Sequence, residues 1–477
     1  MSDTEISRMR DMLARQQQSF LNEGAVSAET RIDRLDRAIN LVFDNQTALV
    51  DAMSADFGNR SRHQSLMADV YNSIEGLKHV KKHVRSWMKH DKRKVMFPLN
   101  LMGAKARVEY QPKGVIGNIT TWNFPLYVAM GPLAGILGAG NRAMIKLSEV
   151  TPHSAGLMQK LFAQYFDETE CVGVTGGPEV GAAFAGLPLD HIIFTGATGV
   201  GRHILAAAAP NLTPVTLELG GKSPVIISRS ADFKEAALRI AAGKALNVGQ
   251  VCLSPDYVFV PEESVELFAA SLQSELSTMF PNIATNGDYS GVVNRRHYDR
   301  LCGYLDDAKS QGADVRAINP ANEDLSPAAA CKLPFTLVVN PTDTMKVMQE
   351  ELFGPVLCIK PYKKVDDCIA YINARPRPLA LYYFGQDRAE ERHVLDHTIS
   401  GGVTLNDVMG HVSCEDLPFG GIGASGTGNY HGIEGFRTFS HARAVYRSTK
   451  LNVMKLGGMM PPYGKKTDDG LKRMIKK

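Results

Sequence analysis

Apolar residues recur at three- and four-residue steps from the start of the chain to about Met88. Leu35, Ile39, Val42 and Phe43 are one example, and this spacing places them on one face of a helix. The pattern predicts two or three long helices in this part of the chain.

From Gly114 the pattern changes to short apolar runs that alternate with helical stretches. This alternation is typical of a parallel sheet with crossover helices. The predicted strands of this first series are 114–119, 142–147, 171–175, 191–195 and 215–219. Several runs end at glycine or a small polar residue, and ligands of open parallel sheets bind outside the carboxyl ends of the strands. We therefore expect a cofactor site there.

A second alternating series follows Gly220 and predicts a second α/β unit. Its predicted strands are 224–227, 257–260, 335–339, 356–359, 379–384 and 402–405. Between the helices and the first series, residues 106–112 alternate polar and apolar, which is typical of an exposed or partner-paired strand. The fold class predicted from these patterns is α/β with two parallel-sheet units.

Composition and charge narrow the class of protein. The 477 residues are too many for one compact core, and 44% hydrophobic with 22% charged residues is typical of a globular protein. The 53 basic and 50 acidic residues leave +3, so the charge predicts neither a nucleic-acid partner nor an anionic membrane surface. The short basic run 89–94 is interpreted as a solvated turn.

Compartment is inferred from cysteines and from the absence of targeting patterns. The seven cysteines show no paired spacing, which indicates a reducing compartment rather than a disulfide framework. The N-terminus lacks the order of a signal peptide, and the apolar stretch 124–140 is shorter than the ~18 residues that span a bilayer. We expect a cytoplasmic protein whose tail, 451–477, is a surface extension.

Cys252 is the first candidate for chemistry. It follows Asn247-Val248-Gly249-Gln250-Val251, a short stretch after a helical pattern. A thiolate is a good nucleophile when its surroundings stabilise it, although free cysteines are more often buried packing residues. Taken alone, the segment leaves both interpretations open.

Glu218 lies between two leucines at the end of a predicted strand. Burial of an unpaired carboxylate is costly and raises its pKa, which suits a general base. A structural glutamate bonded to backbone amides remains the alternative.

Two further segments follow predicted strands. Asn123 could direct a side-chain N–H at an oxyanion, although an isolated asparagine is more often a cap or turn residue. The glycine-rich stretch 195–201 could bring backbone N–H groups to a phosphate, but its spacing differs from the dinucleotide fingerprint. Each is a weak signal by itself.

Together these segments resemble the aldehyde dehydrogenase superfamily from about Thr30 to about Arg447. The spacing of Glu218 and Cys252 is also the family's. The segments that carry the resemblance are Trp122-Asn123-Phe124-Pro125, Lys146-Leu147-Ser148-Glu149, the glycine-rich turn, Glu218-Leu219-Gly220-Gly221-Lys222, Gly249-Gln250-Val251-Cys252 and Glu351-Leu352-Phe353-Gly354-Pro355.

The resemblance implies NAD as cofactor, with NADP as the alternative, and an aldehyde as substrate. It makes Cys252 the nucleophile and Glu218 the base that activates water, with Asn123 and the Cys252 backbone N–H as the oxyanion hole. No metal is implied. The residues implied to bind the cofactor are Thr121, Trp122, Lys146, Ser148, Glu149, Thr195, Gly196, Ala197, Thr198, Gly201, Leu219, Gly220, Glu351 and Phe353. Leu147, where proline is usual, and Gly199, where a larger residue is usual, depart from the family pattern.

Within the superfamily, the segments 373–384, 418–432 and 436–441 resemble the class 3 branch. The N-terminal region and the length are most similar to bacterial coniferyl aldehyde dehydrogenases, which implies an aromatic or bulky apolar aldehyde. The resemblance also implies a homodimer sealed by the strand 106–112.

The implied domain organisation has two parallel-sheet α/β domains, a Rossmann-like cofactor domain and a catalytic domain, with a small β oligomerisation element. The cofactor domain has its helices at 1–92 and its Rossmann-like part at 114–220. The catalytic domain spans 221–418. The oligomerisation strands lie at 93–113, and the chain returns to the cofactor domain and an oligomerisation strand at 419–450 before the tail.

Three rival functions remain at this point. An acylating enzyme would release the product to coenzyme A instead of water, a thiol esterase would need no dinucleotide, and a structural relative would not turn over. Glu218 favours hydrolysis, and the cofactor segments oppose the esterase. Formation of reduced nicotinamide from an aldehyde, with and without coenzyme A, separates all three.

Overall fold

The structure is a computed structural model that describes residues 2–325 and 331–475. Its strands are β1 Asp91–Arg93, β2 Lys105–Pro112, β3 Val115–Ile119, β4 Arg142–Lys146, β5 Cys171–Val174, β6 His191–Thr195, β7 Val215–Glu218, β8 Ser223–Ile227, β9 Pro255–Pro261, β10 Asp314–Ile318, β11 Phe335–Val339, β12 Val356–Tyr362, β13 Ala380–Phe384, β14 Gly402–Leu405, β15 Gly426–Thr427 and β16 Ser440–Arg447.

The α-helices are α1 Ser2–Glu23, α2 Ala28–Asp44, α3 Gln46–Asp56, α4 Arg62–Gln64, α5 Asn72–Trp87, α6 Tyr127–Gly138, α7 Pro152–Tyr165, α8 Pro178–Ala185, α9 Thr198–Ala208, α10 Phe233–Ala245, α11 Val265–Met279, α12 Arg295–Ser310, α13 Lys346–Gln349, α14 Val365–Asn373, α15 Arg388–His397, α16 Gly432–Thr438, α17 Val453–Leu456 and α18 Lys465–Met474.

The helical start of the chain is confirmed, but it contains more helices than the two or three predicted. Five α-helices precede Met88, and a π-helical turn, Ser65–Tyr71, links α4 to α5. The Ser27 hydroxyl accepts a hydrogen bond from the backbone N–H of Thr30 and caps α2. The apolar face of α2 packs against α5 and α6 on one face of the first sheet, whereas α1 contributes Met9, Met12 and Leu13 to the core on its other face.

The first sheet has six strands in the order β15-β7-β6-β3-β4-β5. All of its pairs are parallel except the short β15, which runs antiparallel to β7. The five predicted strands of the first series are present within a residue or so at each end. Parallel strands bring their carboxyl ends to one edge, where 120–123, 147–149, 196–197 and 219–220 emerge together.

The second sheet has seven strands in the order β10-β11-β12-β9-β8-β13-β14. Its six predicted strands are all present, and they pair in parallel. The strand β10 was not predicted, and it pairs antiparallel with β11 at the edge. The parallel core of both sheets confirms the α/β fold class.

The third sheet is small and antiparallel, in the order β1-β2-β16, and it corrects one interpretation. The run 89–94 was predicted as a turn, but Asp91–Arg93 is a strand paired with residues 106–108 of β2. The strand predicted at 106–112 is present, and β16 pairs with its whole length. Among the described strands, residues 109–112 pair with β16 alone, so the pairing of this strand with a partner subunit stays a prediction.

The tail after β16 forms the helices α17 and α18, and most of its side chains are exposed. Thr467 is buried there, and its hydroxyl donates to the Gly458 carbonyl at 2.5 Å. Within residues 2–325 and 331–475, none of the helices combines the length and the apolar character that crossing a bilayer requires.

Candidate functional site

A cavity of about 420 Å³ lies where the carboxyl edge of the first sheet faces loops of the second. The predicted site residues that line it are Thr121, Trp122, Asn123, Thr195, Gly196, Ala197, Glu218, Leu219, Gly220, Cys252, Glu351 and Phe353. The predicted residues outside its lining are Lys146, Ser148, Glu149, Thr198 and Gly201. The structure thus brings residues from four distant segments, near 122, 196, 218 and 252, together with the 351–353 loop.

Cys252 lies in a turn between the helix α10 and the strand β9. Asn247, Val248 and Gly249 all have positive φ, at 47°, 46° and 75°, so the chain reverses sharply before the cysteine. The Gln250 side chain donates to the Gly291 carbonyl at 3.0 Å and accepts from the Val293 N–H at 3.0 Å. This buried amide therefore fixes the turn two residues before Cys252.

The turn is also held on its other side. The Tyr382 hydroxyl donates to the Leu253 carbonyl at 2.7 Å, from the middle of the second sheet. Burial, followed by the nearby Glu351 and Glu218 carboxylates, raises the pKa of the Cys252 thiol to about 12. The backbone N–H groups of Cys252 and Leu253 act in the opposite direction, because they stabilise the ionised sulfur and lower its pKa.

Glu218 is the last residue of β7 and is 3% exposed. Neither carboxyl oxygen has a hydrogen-bond partner in the described part of the chain. Because no charge or donor offsets its desolvation, burial raises the pKa of this carboxyl well above its ordinary value. The geometry therefore argues against the structural alternative, in which backbone amides would satisfy the carboxylate.

Asn123 is 3% exposed, and its side-chain nitrogen donates to the Gln250 carbonyl at 3.1 Å. The amide is therefore fixed against the turn that carries Cys252. The Asn123 carbonyl accepts from the Asn247 side chain at 3.0 Å, so the two segments hold each other. This geometry favours a functional asparagine over a simple turn residue.

A buried ion pair contacts Asn123, and no sequence motif indicated it. Arg60 donates to the Asn123 carbonyl at 3.0 Å and pairs with Asp69 at 2.7 Å. Asp69 also accepts from the N–H groups of Leu126 and Tyr127 at the start of α6. Charged residues within a helical region usually predict a solvated face, so only the folded structure reveals this pair.

The residues outside the cavity lining occupy the adjacent loops. The Lys146 ammonium, at the end of β4, donates to Glu149 at 3.1 Å and to the Leu147 carbonyl at 2.8 Å. The Ser148 hydroxyl accepts from the Val150 N–H at 3.3 Å. The Thr198 hydroxyl donates to the Ala424 carbonyl at 3.1 Å at the start of α9.

Three glycines of these loops lie close against neighbouring side chains of the protein. A Cβ at Gly196 would lie 2.5 Å from the Phe194 ring, and a Cβ at Gly220 would lie 2.3 Å from the Glu351 carboxylate. A Cβ at Gly201 would lie 2.9 Å from Leu219, so close packing of α9 on β7 requires glycine there. Gly199, a departure from the family pattern, faces open space, with no atom within 4 Å of a Cβ.

The loop that carries Glu351 and Phe353 is held by charged residues that were not predicted as site residues. Lys222 pairs with Asp256 and donates to the Glu350 carbonyl at 2.8 Å. Asp256 accepts from the Leu352 N–H at 2.9 Å, and Arg300 donates to the Glu351 and Leu352 carbonyls. Lys222 belongs to the motif at 218–222 and could have been predicted from it, but no sequence pattern indicated Asp256 or Arg300.

This loop presents one carboxyl and one ring to the cavity. Burial raises the pKa of Glu351 to about 7, and the Gly221 N–H partly offsets that effect. Phe353 has φ +47° and meets the Trp122 ring edge-on, with centroids 5.2 Å apart. His297 was not predicted either, and its ring lies 4.9 Å from Trp122 on the cavity wall.

Neither a disulfide nor a metal centre is found in the part of the chain that the structure describes. All seven cysteines are free, and Cys252 is half-buried. Among residues 2–325 and 331–475, no group of three or more His, Cys, Asp and Glu is arranged to hold a metal ion. The reactive groups predicted from the sequence that line the cavity are the Cys252 thiol, the buried Glu218 carboxyl and the Asn123 side-chain amide.

Comparison with known proteins gives a consistent result. The model of the aldehyde dehydrogenase family matches residues 4–445. A probable coniferyl aldehyde dehydrogenase of Caulobacter vibrioides is 53% identical over all of this chain and 98% of its own length. A coniferyl aldehyde dehydrogenase of Pseudomonas sp. (strain HR199) is 51% identical over 95% of this chain and 93% of its own. The substrate-bound structure of AldH from Staphylococcus aureus superposes with a TM-score of 0.91 at 32% identity, covering 98% of this chain and 99% of that one.

Proposed function

We propose, from the premise that this chain belongs to the aldehyde dehydrogenase family, that Cys252 captures an aldehyde and that Glu218 releases it as a carboxylic acid. The family match confirms the resemblance seen in the sequence. The chain is an enzyme that oxidises aldehydes with a nicotinamide cofactor. One observation supports this assignment of roles. The Glu218 carboxyl, which has no hydrogen-bond partner among the described residues, lines the same cavity as Cys252.

In the first half-reaction, Cys252 Sγ bonds to the aldehyde carbon while the thiol proton passes to solvent. The carbonyl electron pair moves to the oxygen, where the Asn123 side-chain N–H and the Cys252 backbone N–H stabilise it. When bound, the nicotinamide cofactor supplies the hydride acceptor. Loss of hydride from the captured carbon leaves a thioester on Cys252.

In the second half-reaction, Glu218 takes a proton from water as the water oxygen attacks the thioester carbon. The carbon–sulfur bond breaks, and the carboxylic acid leaves Cys252. A raised pKa makes Glu218 a stronger base than an exposed carboxylate, which suits this step. The product is the acid, not an acyl ester of coenzyme A.

Lys146 and Glu149 would hold the adenosine ribose, the turn at 196–201 would face the pyrophosphate, and Glu351 with Phe353 would meet the nicotinamide half. The position of Gly196 and Ala197 on the cavity wall, directly before the helix α9, supports this arrangement. We propose a preference for NAD because the Glu149 carboxylate would repel a 2′-phosphate.

The cofactor preference is tested by comparing kcat/KM for NAD and NADP. We expect NAD to be favoured by ~10-fold or less, because Lys146 already neutralises part of the Glu149 charge. Glu149→Gln should narrow the ratio, and Glu179→Gln, which changes an acid on the separate helix α8, serves as the matched control. A wild-type preference for NADP would contradict the proposed role of Glu149.

For the substrate we propose a bulky aromatic aldehyde such as coniferyl aldehyde. The relatives named for that activity support this choice, as does the apolar wall beside Cys252. Trp122, Phe124 and Tyr127 all line the cavity. Further residues of that wall are Phe419, Tyr430, Met409, Val412 and Leu379. Aromatic and aliphatic walls of this kind favour a planar apolar ligand.

An aldehyde panel tests this choice. Coniferyl aldehyde should exceed acetaldehyde by at least ~10-fold in kcat/KM, because each buried methylene adds to transition-state binding. Each assay is run with and without coenzyme A, and the free acid is identified as product. A kcat/KM for acetaldehyde equal to or above that for coniferyl aldehyde would contradict the proposed aromatic substrate. A requirement for coenzyme A in turnover would contradict the proposed hydrolysis by Glu218.

A further inference from the structure

A second cavity, of about 480 Å³, adjoins the cavity that contains Cys252. The two share four lining residues, which are Asn72, Tyr127, Val412 and Ser413. Among the described residues, none of the proposed cofactor residues lines the second cavity. It therefore continues the space around Cys252 in a direction other than the cofactor loops, and we call it the distal cavity.

The distal cavity differs in chemistry from the apolar space around Cys252. Its lining includes the carboxyls of Glu75, Glu415 and Asp416, and neither lysine nor arginine is among its described lining residues. Glu75 pairs with Lys78 at 3.0 Å, and Asp416 lies 3.3 Å from His79, whose pKa is lowered by burial. Within residues 2–325 and 331–475, Glu415 forms no ion pair with a basic side chain.

Glu415 is also the best placed of the three to meet a substrate. Its carboxylate lies against α5 at Gly76, where an added Cβ would be 3.2 Å from Oε1. Burial, and then the Asp416 charge, raises the pKa of the Glu415 carboxyl to about 7, and burial followed by Glu415 raises the pKa of the Tyr127 phenol, which lines both cavities. Asp416, by contrast, has an 82% exposed side chain.

We infer that the distal cavity receives the far end of the aldehyde and that Glu415 is a specificity-determining residue there. It accepts a hydrogen bond from a hydroxyl on the ring of an aromatic aldehyde and repels an aldehyde whose far end is a carboxylate. This inference rests on the proposed aromatic substrate. It adds that the substrate is neutral and carries a hydrogen-bond donor at the end opposite the aldehyde.

The test compares three aldehydes that differ only at the para position, 4-hydroxycinnamaldehyde, cinnamaldehyde and 4-carboxycinnamaldehyde. Hexanal, which has no polar far end, reports the basal chemistry. The wild-type enzyme should rank them hydroxy, then unsubstituted, then carboxy in kcat/KM. In Glu415→Gln, the kcat/KM values for the hydroxy and unsubstituted compounds should become similar, and kcat/KM for the carboxy compound should rise by ~10-fold. The kcat/KM for hexanal should be unchanged.

Two further variants sharpen the test. Glu415→Lys should raise the carboxy compound beyond the level of Glu415→Gln, because attraction replaces repulsion. Asp416→Asn is the matched control, and its three ratios should stay within about twofold of wild type because its carboxylate is exposed. A fall in hexanal activity identifies a variant that has lost its fold. If one Glu415 variant fails in this way, the ratios of the other Glu415 variant test the inference.

Unchanged ratios in both Glu415 variants would overturn the inference and leave the aromatic substrate standing. Equal effects of Asp416→Asn on the three ratios would also overturn it, because the total charge of the distal cavity, and not Glu415, would then determine substrate preference. If wild-type enzyme uses hexanal better than all three aromatic aldehydes, the proposed substrate fails instead. The ratios and the wild-type ranking thus separate the two failures.

Discussion

Cys252 and Glu218 line the same cavity, and burial raises the pKa of both groups. Neither raised pKa alone identifies a catalytic group, because buried structural cysteines such as Cys171 share the direction of shift. Two features distinguish this pair. Cys252 is half-buried on the cavity wall, and the Glu218 carboxyl has no hydrogen-bond partner among the described residues.

At the scale of the residue, Cys252→Ala should lower aldehyde oxidation by ~10³-fold or more, because no other nucleophile lines the cavity at that point. Dinucleotide binding, measured by calorimetry, should remain because the cofactor loops are separate from the sulfur. Cys414→Ser is the control, since Cys414 is exposed and lines only the distal cavity. Activity above a few per cent in Cys252→Ala would remove the nucleophile assignment.

At the scale of the element, the turn before Cys252 is the most constrained segment. Gly249 has φ +75°, and a Cβ there would lie 2.4 Å from the Gly354 carbonyl in the loop that carries Phe353. Gly249→Ala should therefore displace both the cysteine turn and the Phe353 loop and lower kcat/KM by ~100-fold.

Gly181→Ala is the matched control for Gly249→Ala. Gly181 lies within α8, and no atom lies within 4 Å of an added Cβ, so the substitution should leave kcat/KM unchanged. Thermal unfolding of both variants measures whether the fold survives. Wild-type activity in Gly249→Ala would show that the turn tolerates displacement and that its geometry does not position the sulfur.

The elements that the sequence predicted well are those with a strong hydrophobic pattern. The parallel strands are nearly continuous apolar runs because helices cover both of their faces. The edge strand β10 was missed because Asp314 and Arg316 interrupt its pattern, and β1 was missed because all three of its residues are charged. Their strand conformation comes from pairing with a neighbour that lies far away in the sequence.

The site was predictable to the same extent. Most of the predicted residues that follow strands line the cavity, because parallel topology brings strand ends together, whereas Lys146, Ser148 and Glu149 at the end of β4 lie outside its lining. The supporting groups could not be predicted. Arg60 reaches Asn123 across 63 residues and Asp256 reaches Leu352 across 96, and such pairs depend on tertiary packing rather than on local pattern.

At the scale of the whole molecule, the active cavity exists only because two sheets face each other across it. The first sheet supplies Glu218 and the loops near 122 and 196, and the second supplies the neighbours of Cys252 and the loop of Glu351. We propose that two copies of the chain form a homodimer through the strand 106–112, because its residues 109–112 pair only with β16 among the described strands.

The most direct test of the account is a single-turnover experiment on Glu218→Gln with coniferyl aldehyde and NAD. The cysteine and the oxyanion groups remain, so we expect a rapid burst of about one equivalent of reduced cofactor per active site, followed by a stall. Mass spectrometry of the stalled protein should find the acyl group on Cys252 and on none of the other six cysteines. Steady turnover at the wild-type rate, with no acyl group on Cys252, would contradict the covalent mechanism and the role of Glu218 together.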